Sequence, residues 1–307
     1  MNIIHAASEL SPRDRKVCVA IGMFDGVHLG HQQIIRQTIA AARQHEGIAL
    51  VITFDRHPNA VVAPQRVPDL IQPLQQKLRV IESLGTDALL LIHFDRAFSE
   101  QSGDAFIRNL VRDLGQVHSL SVGAAFAFGH KRSGNVALLK KLGEELKFTV
   151  HGVAAVSLDG QPVSSTRIRE AIRAGRLDAA SQMLGRAYSL AGRVVQGDGV
   201  GHELGFPTAN LDVPGLVLPP NGVYAAHAQV GNAAHRAVLN IGHRPTLRRP
   251  TPQLTLEAHL LDFSGNLHGK EIEITFLSRL RDEKKFPSAA KLKEQIARDI
   301  AEARKQF

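Results

Sequence analysis

VCVAIGMFDGVHLGHQQ, residues 17–33, decides the fold of the first half of this chain. Its apolar run, Val17–Ile21, has the length of a buried strand. A helical apolar pattern begins near His31, and three glycines lie between the strand and the helix. Such a turn is an anion site, because glycines let the backbone approach a ligand and the positive end of the helix points at it.

Two histidines of this turn, His28 and His31, are three residues apart, so at a helix start they share one face. Neutral imidazoles in that position can donate hydrogen bonds to phosphoryl oxygens. Spacing alone leaves a second interpretation open, a plain strand–helix turn with two exposed histidines.

The composition is that of an ordinary globular protein with room for two domains, since the chain has 307 residues, 44% hydrophobic and 21% charged. The single cysteine, Cys18, excludes an intramolecular disulfide and fits a cytoplasmic location. The sequence shows no secretion signal and no apolar run long enough to span a bilayer, so we expect no membrane partner.

The net charge of +8 is compatible with nucleic acid or with polyphosphate ligands. Aromatic residues make up only 5% of the chain, which leaves few platforms for stacking bases, so we expect small-molecule substrates and no nucleic acid. The basic clusters Arg244–Arg249 and Arg279–Lys285 are interpreted as solvated loops. The sequence does not determine the oligomeric state.

Strands and helices alternate through the N-terminal half. After the first helix, the patterns predict strands at Ile48–Phe54, Ala88–Phe94, Ser119–Val122 and Phe148–Val153, and helices at Gln72–Leu84, Ala105–Leu114 and Asn135–Leu146. This alternation predicts a Rossmann-like parallel sheet covered on both faces. Ligands of such sheets bind at the carboxyl ends of the strands, where the first turn lies.

A second phosphate-binding candidate is VSSTRIR at Val163–Arg169. Hydroxyls followed by arginines at a helix start can hold phosphate by side chain, amide and charge together. A plain N-cap of a helix through Ile168 and Ile172 explains the same residues, and on physical grounds alone it is the simpler interpretation.

The pattern changes near residue 186, after a predicted helix at Leu177–Leu184. Short strands with frequent turns follow, predicted at Gly192–Val195, Gly222–Val230, Ala237–Ile241, Leu254–Leu261 and Glu271–Phe276, and a helix at Ser288–Lys305 ends the chain. We therefore predict an α/β domain at residues 1–186 and a small antiparallel β-barrel with a C-terminal helix at residues 187–307.

Two further segments could carry chemistry in the second domain. In GFPTANL, Thr208 and Asn210 are two residues apart, so in an extended chain their side chains point the same way, which suits a Mg²⁺ ion that holds nucleotide phosphates. An ordinary turn explains the same residue types. In LTLEAHL, apolar residues alternate, so Thr255, Glu257 and His259 share the opposite face. Spacing cannot distinguish a catalytic Glu257 from a surface glutamate.

Together these motifs resemble a known family. HLGH is similar to the HxGH signature of nucleotidyltransferases, and GMFDGVHLGHQ, SSTRIR, PTAN, NIGHRPT and RDEKKF resemble, in order, the bacterial bifunctional riboflavin kinase/FMN adenylyltransferases. The resemblance implies phosphorylation of riboflavin to FMN by ATP in the C-terminal domain. It also implies adenylylation of FMN to FAD, with release of pyrophosphate, in the N-terminal domain, and Mg²⁺ as the metal.

The resemblance also implies site residues. Those for ATP in the adenylyltransferase are Gly22, Phe24, Gly26, His28, His31, Ser164, Ser165, Thr166 and Arg169, of which the two histidines are catalytic. In the kinase, Thr208 and Asn210 hold ATP and Mg²⁺, and Glu257 accepts the proton of the flavin 5′-hydroxyl. Flavin-binding candidates are Ala125, Phe126, Phe128 and Arg281.

Ala125 and Ala127 depart from the family pattern, which commonly has polar residues at these positions. Four hypotheses follow. The leading one is the enzyme with both activities, and the second is a riboflavin kinase whose adenylyltransferase is weak or silent. The third is a basic nucleic-acid-binding protein, and the fourth is a flavin carrier without turnover, against which the intact PTAN and Glu257 argue.

Overall fold

The computed structural model describes residues 1–11, 14–197, 199–244 and 253–307, with the backbone alone at residues 243, 244 and 253. The chain divides into two compact units. The first contains Met1–Asp69 and Leu74–Ser165, and the second contains Leu70–Pro73 and Thr166–Phe307. Each unit has its own sheet.

The first unit is built on a parallel sheet of six strands. These are β1 (Asn2–Ile4), β2 (Val17–Ile21), β3 (Ile48–Phe54), β4 (Ala88–Ile92), β5 (Val117–Gly123) and β6 (Thr149–Val153). Their spatial order is β1-β4-β3-β2-β5-β6, with every pairing parallel. The predicted parallel α/β fold is confirmed.

Helices cover both faces of this sheet. They are α1 (Leu29–Gln44), α2 (Leu74–Ser83), α3 (Gly103–Leu114) and α4 (Val136–Leu146). One face buries residues such as Val19, Leu50 and Leu120 beneath α3 and α4, and the other buries Val51 and Leu89 beneath α1 and α2. Burial on both faces explains why these strands are continuous apolar runs.

The sheet has a topological switch point beside β2. From β2 the chain moves outward through β3 and β4, and it then returns to the other side of β2 as β5. The glycine turn that follows β2 therefore stands at the edge where loops diverge, which is where sheets of this kind bind ligands.

The second unit starts with α5 (Ser165–Arg173), whose first residue still belongs to the first unit, and α6 (Leu177–Leu184). Its strands are β7 (Ser189–Val195), β8 (Ala209–Asp212), β9 (Gly222–Val230), β10 (Ala233–Arg244), β11 (Gln253–Leu260) and β12 (Glu271–Asp282). They form a closed antiparallel barrel in the order β7-β8-β11-β10-β9-β12, and α7 (Ala289–Arg304) follows. The predicted barrel with a C-terminal helix is confirmed.

The interpretation of Arg279–Lys285 as a solvated loop is wrong for its first half. β12 continues to Asp282, and Arg281 pairs with Val223 of β9. β12 continues past its apolar residues because β9 lies beside it and provides pairing partners. The periodicity of the sequence detects only the apolar part of this strand. Of the cluster Arg244–Arg249, also interpreted as a solvated loop, Arg244 is the last residue of β10, so the interpretation is wrong for that residue. Residues 245–249 lie outside the described residues, and so do the last two residues of NIGHRPT.

Within the part of the chain that the structure describes, no helix has the length and apolar character needed to cross a membrane. Short elements complete the first unit, including helical turns at Asn59–Val62, Arg96–Ser99 and Asp25–Val27. The last of these lies inside the glycine turn.

Candidate active sites

The turn after β2 has an unusual backbone. Phe24, Gly26 and Val27 all have positive φ, of 51°, 79° and 40°. For Phe24 and the β-branched Val27 this conformation is strained, and such strain concentrates at functional sites. The Phe24 ring also needs Gly22, because a Cβ at that position would lie 2.8 Å from the ring.

The two histidines of the turn stack on one another. Their ring centroids are 3.6 Å apart with an interplanar angle of 18°. His28 is the N-cap of α1, and its Nδ1 accepts a hydrogen bond from the His31 amide at 3.4 Å. With Nδ1 as the acceptor of this bond, Nε2 is the ring nitrogen of His28 that carries a proton.

Burial lowers the pKa of His31 well below its usual range, and the neighbouring His28 and Lys77 lower it further. His31 is therefore neutral at pH 7. Its Nδ1 is buried and has no hydrogen-bond partner among the described residues. The turn thus places a neutral His31 imidazole against the His28 ring at the start of a helix.

Lys77, on α2, is a buried cation that sequence reasoning missed. Its ammonium donates to the carbonyls of Phe54 at 2.8 Å and Met23 at 3.3 Å, and to Thr53 Oγ1 at 3.2 Å. Burial lowers the pKa of Lys77 to about 8, although the carboxylates of Asp25 and Asp55 oppose the shift. Through these hydrogen bonds, Lys77 connects the glycine turn to the carboxyl end of β3.

A signal for Lys77 is present in the sequence. Leu74, Leu78 and Ile81 form the apolar stripe of α2, and Lys77 occupies the remaining position of that stripe. A lysine at such a position points toward the interior, where it needs a partner or a function.

The second motif reaches the first turn through Ser165. Its hydroxyl donates to the Asp25 carbonyl at 3.0 Å. Ser164 is half-buried beside it, Thr166 is exposed in the first turn of α5, and Arg169 is buried one turn later. Ser165 and Arg169 are four residues apart, so they share one face of α5.

An aromatic cavity of about 620 Å³ opens beside the same turn, since Ile21 and Met23 contribute to its wall. Its rings are Phe54, Phe94, Phe98, Phe106, Phe126 and Phe128. Phe126 and Phe128 stack at 5.2 Å, and basic residues, among them Lys131 and Arg132, stand at the rim. Ala125 is exposed and is not part of this wall.

The barrel aligns polar residues that are distant in sequence. Glu257 pairs with Asn210 on β8 and with Asn240 on β10, so the three side chains lie on one side of the barrel wall. Asn240 pairs in turn with Val223, and Val223 with Arg281. This polar row is defined by Asn210, Glu257 and Asn240.

Thr208 and Asn210 line a cavity of about 510 Å³ at the glycine-rich loop, and Glu257 is not among its lining residues. The loop fits closely, since a Cβ at Gly197 would collide with the Asn210 side chain and one at Gly201 would lie 2.9 Å from Thr208 Oγ1. His259, on the same face as Glu257, contacts the Pro207 carbonyl at 2.8 Å through Nδ1. The PTAN segment is therefore anchored to the Glu257 strand.

Arg281 is engaged within its own unit. Its guanidinium forms a two-pronged ion pair with Asp299 of α7, at 2.9 Å and 2.7 Å. Both side chains are largely buried. Arg281 therefore fixes α7 to the barrel wall, on the side that carries the polar row.

The comparisons with known proteins match the two parts of the chain in which these candidate sites lie. Residues 10–167 match the sequence family described as FAD synthetase, and residues 184–307 match the one described as riboflavin kinase. The bifunctional riboflavin kinase/FMN adenylyltransferase of Haemophilus influenzae is 38% identical, over 94% of each chain. The protein of the same name from Escherichia coli K12 is 36% identical, over 100% of this chain and 98% of its own.

The chain belongs to the bifunctional riboflavin kinase/FMN adenylyltransferase family. It is a transferase with two activities, riboflavin kinase and FMN adenylyltransferase. ATP, riboflavin and FMN fit as its small-molecule substrates. The resemblance stated from the sequence motifs is thereby confirmed.

The fold is also found in a solved structure, titled macrolide-efflux protein from Streptococcus pneumoniae. It is similar with a TM-score of 0.83 and 27% identity over 98% of each chain. This solved structure matches the chain along nearly its whole length, as the riboflavin kinase/FMN adenylyltransferases do.

Proposed function

We propose that the glycine turn and the stacked histidines bind the triphosphate of ATP, and that the aromatic cavity binds the flavin ring of FMN. The observation that carries this proposal is their adjacency: Met23 belongs to the turn and also lines the aromatic cavity. Adenylyl transfer needs both substrates at one place, with the reacting oxygen and phosphorus in line.

In the proposed adenylyl transfer, a phosphate oxygen of FMN forms a bond to the α-phosphorus of ATP. The bond from that phosphorus to the bridging oxygen breaks, and pyrophosphate leaves with the electron pair. The His28 and His31 side chains stabilise by hydrogen bonds the charge that builds up on the phosphates, and the neutral His31 ring does so without a proton transfer. Gly22, Phe24 and Gly26 set the turn, and the Ser164 and Ser165 hydroxyls hold the triphosphate beside it. The family motif also assigns Thr166 and Arg169 to phosphate binding.

For the flavin, Phe126 and Phe128 are proposed to stack on the ring system, whereas Ala125 offers only its backbone. Lys131 and Arg132 at the rim supply positive charge for the phosphate of FMN. This arrangement allows FMN binding without the polar residues that Ala125 and Ala127 replace. Lys77 is proposed as a positioning residue, since it holds Met23 by a hydrogen bond.

In the proposed kinase reaction, the 5′-hydroxyl oxygen of riboflavin bonds to the γ-phosphorus of ATP, ADP leaves, and Glu257 takes the hydroxyl proton. Arg281 is assigned to the flavin side of this site, where with Asp299 it fixes the position of α7. Phosphoryl transfer of this kind depends mainly on positioning and on neutralising charge.

The donor set fits a Mg²⁺ ion in the kinase. Thr208 and Asn210 present oxygen ligands to one cavity, and Glu257 lies beside Asn210 in the polar row. Mg²⁺ prefers oxygen ligands and is usually held by a few protein groups together with substrate phosphates. Accordingly, the described residues contain no cluster of three or more His, Cys, Asp or Glu side chains that could hold a metal alone. When bound, the ion would neutralise charge on the ATP phosphates.

We further propose that residues 1–186 carry the adenylyltransferase and residues 187–307 the kinase, acting on small molecules without nucleic acid in the cytoplasm. Product chromatography tests the proposal, with purified protein, riboflavin, ATP and Mg²⁺. FMN and FAD together are expected. FMN alone would instead support a kinase with a silent adenylyltransferase, and neither product would support a carrier. Salt-dependent binding of DNA or RNA would contradict the assignment of partners.

A further inference from the structure

A second polar cavity lies in the first unit, at the opposite end of the sheet from the glycine turn. Its volume is about 360 Å³, and its wall includes His45, His118, His151 and Ser119. His118 and Thr149 stand near the amino-terminal ends of β5 and β6, whereas the glycine turn follows the carboxyl end of β2. Nothing in the two reactions uses this cavity.

The fold builds the cavity at an irregular point of the sheet. The pairing of β2 with β5 shifts register between Val17 and Cys18, so His118 and Ser119 both contribute to the wall although they are adjacent. Thr149 and His151, two residues apart on the edge strand β6, share a face and complete that wall. The small residues Ala40 and Ala41 of α1 leave the space open.

Polar groups here lack the partners that buried groups normally have. The Ser119 hydroxyl lines the cavity and is buried, and within the described residues it has no hydrogen-bond partner beyond a weak interaction with the Cys18 thiol. The buried Ser121 hydroxyl, on the same face of β5 but outside the cavity wall, also lacks a partner among the described residues. Buried hydroxyls without partners are costly, which points to a ligand or ordered water at the Ser119 side.

The wall is rich in donors and contains no carboxylate among its described residues. The His45 and His118 rings are 4.0 Å apart. Burial lowers the pKa of His118, and His45, Lys16 and His151 lower it further by their positive charge. These charges stand at the end of α1, immediately before β2 and on β6, so an anion among them would relieve the mutual repulsion.

We propose that this histidine cavity binds a small phosphate-type oxyanion, inorganic phosphate or pyrophosphate. The three imidazoles supply charge-assisted donors when protonated, and Ser119, Gln37 and Gln44 supply neutral ones. Pyrophosphate is released by the adenylyltransferase of the same unit, so the cavity would meet a product of the enzyme. Binding strengthens as pH falls through the histidine range, because protonation adds positive charge.

The test is a titration of the full-length protein followed by the NMR signals of the histidine rings, assigned with the variants His45→Gln, His118→Gln and His151→Gln. Phosphate and pyrophosphate are added separately, with sodium chloride at equal ionic strength as the control salt. We expect saturable shifts of the three signals with an oxyanion and none with chloride, and binding about tenfold tighter at pH 6 than at pH 8.

The exposed His5 provides the matched control, since His5→Gln should leave the binding unchanged. Binding by one of the two oxyanions identifies the ligand. No saturable shift of the three histidines at pH 6, or equal shifts with chloride, would overturn the proposal. If a variant fails to fold, the wild-type titration alone decides whether the cavity binds an oxyanion. Shifts confined to His28 and His31 would locate the binding at the glycine turn and would also overturn the proposal.

Discussion

Replacing Lys77 with methionine removes a buried charge while keeping a side chain of similar length. In the wild type the pKa of this lysine falls from 10.5 to about 8, chiefly by burial. The shift corresponds to about 3 kcal/mol of destabilisation of the charged form in the folded state. The variant avoids that cost but loses the three hydrogen bonds to Met23, Thr53 and Phe54, so at pH 7 the two effects nearly cancel.

The pH dependence distinguishes the two effects. Because the pKa of Lys77 is lower in the folded than in the unfolded chain, the unfolded chain binds more protons between these values, and stability rises with pH. The cost is fully present below pH 8 and disappears above pH 10.5. From pH 7 to pH 9.5 the wild type should gain about 2 kcal/mol of unfolding free energy relative to Lys77→Met.

Cys18 provides the assay, because it is the single cysteine and is fully buried in β2 of the same unit. Thiol labelling across a urea series at each pH reports the unfolding free energy of this unit, after normalisation to the fully unfolded chain at that pH. The exposed Lys140 gives the matched control, Lys140→Met, whose difference from wild type should not change with pH.

An unchanged difference between wild type and Lys77→Met, within about 0.5 kcal/mol from pH 7 to pH 9.5, would refute the burial of a charged Lys77. In the same variant, FAD formation from FMN should fall about tenfold while FMN formation is unaffected, because the Met23 carbonyl loses its ammonium partner. Full FAD formation would contradict the positioning role.

Five substitutions test the proposed site residues. Glu257→Gln should lower FMN formation about a hundredfold in a folded protein, measured by chromatography, and turnover near wild type would exclude Glu257 as the base. Thr208→Ala and Asn210→Ala should each lower kinase turnover at least about tenfold and leave FAD formation from FMN intact, whereas loss of both reactions would contradict separate sites. His31→Ala should lower pyrophosphate release with FMN and ATP about a hundredfold, and undiminished release would make the HLGH turn a structural element only. Ala125→Asp should lower the KM for FMN without changing that for ATP, and an unchanged KM for FMN would show that the family pattern does not matter at this position.

The sequence predicts the sheet well wherever burial alone determines the strand. Val17–Ile21 and Ile48–Phe54 are strands with the predicted bounds, and so is Gly222–Val230 in the barrel. Burial produces continuous apolar runs, which are visible in a single sequence. By contrast Asn2–Ile4 is missed because three residues are too few to show a period.

Where tertiary pairing determines structure, the sequence is less informative. Ala209–Asp212 is a strand because β7 and β11 pair with it, although its PTAN sequence is typical of a turn. The same holds for the candidate sites. Spacing predicts that the two histidines share a face, but the stacking of their rings and the interaction with Lys77 depend on β3 and α2, which spacing does not position.

The polar row of the barrel restricts how the length of this protein can vary in evolution. Asn210, Asn240 and Glu257 lie side by side only because three strands keep one register. Side chains alternate between the two faces of a strand, so deleting one residue within β11 would turn Glu257 to the other face and bring Leu256 or Ala258 into its place. Insertions and deletions that preserve riboflavin phosphorylation should therefore be confined to the connections between barrel strands, and those within β8, β10 or β11 should be rejected even when the protein still folds.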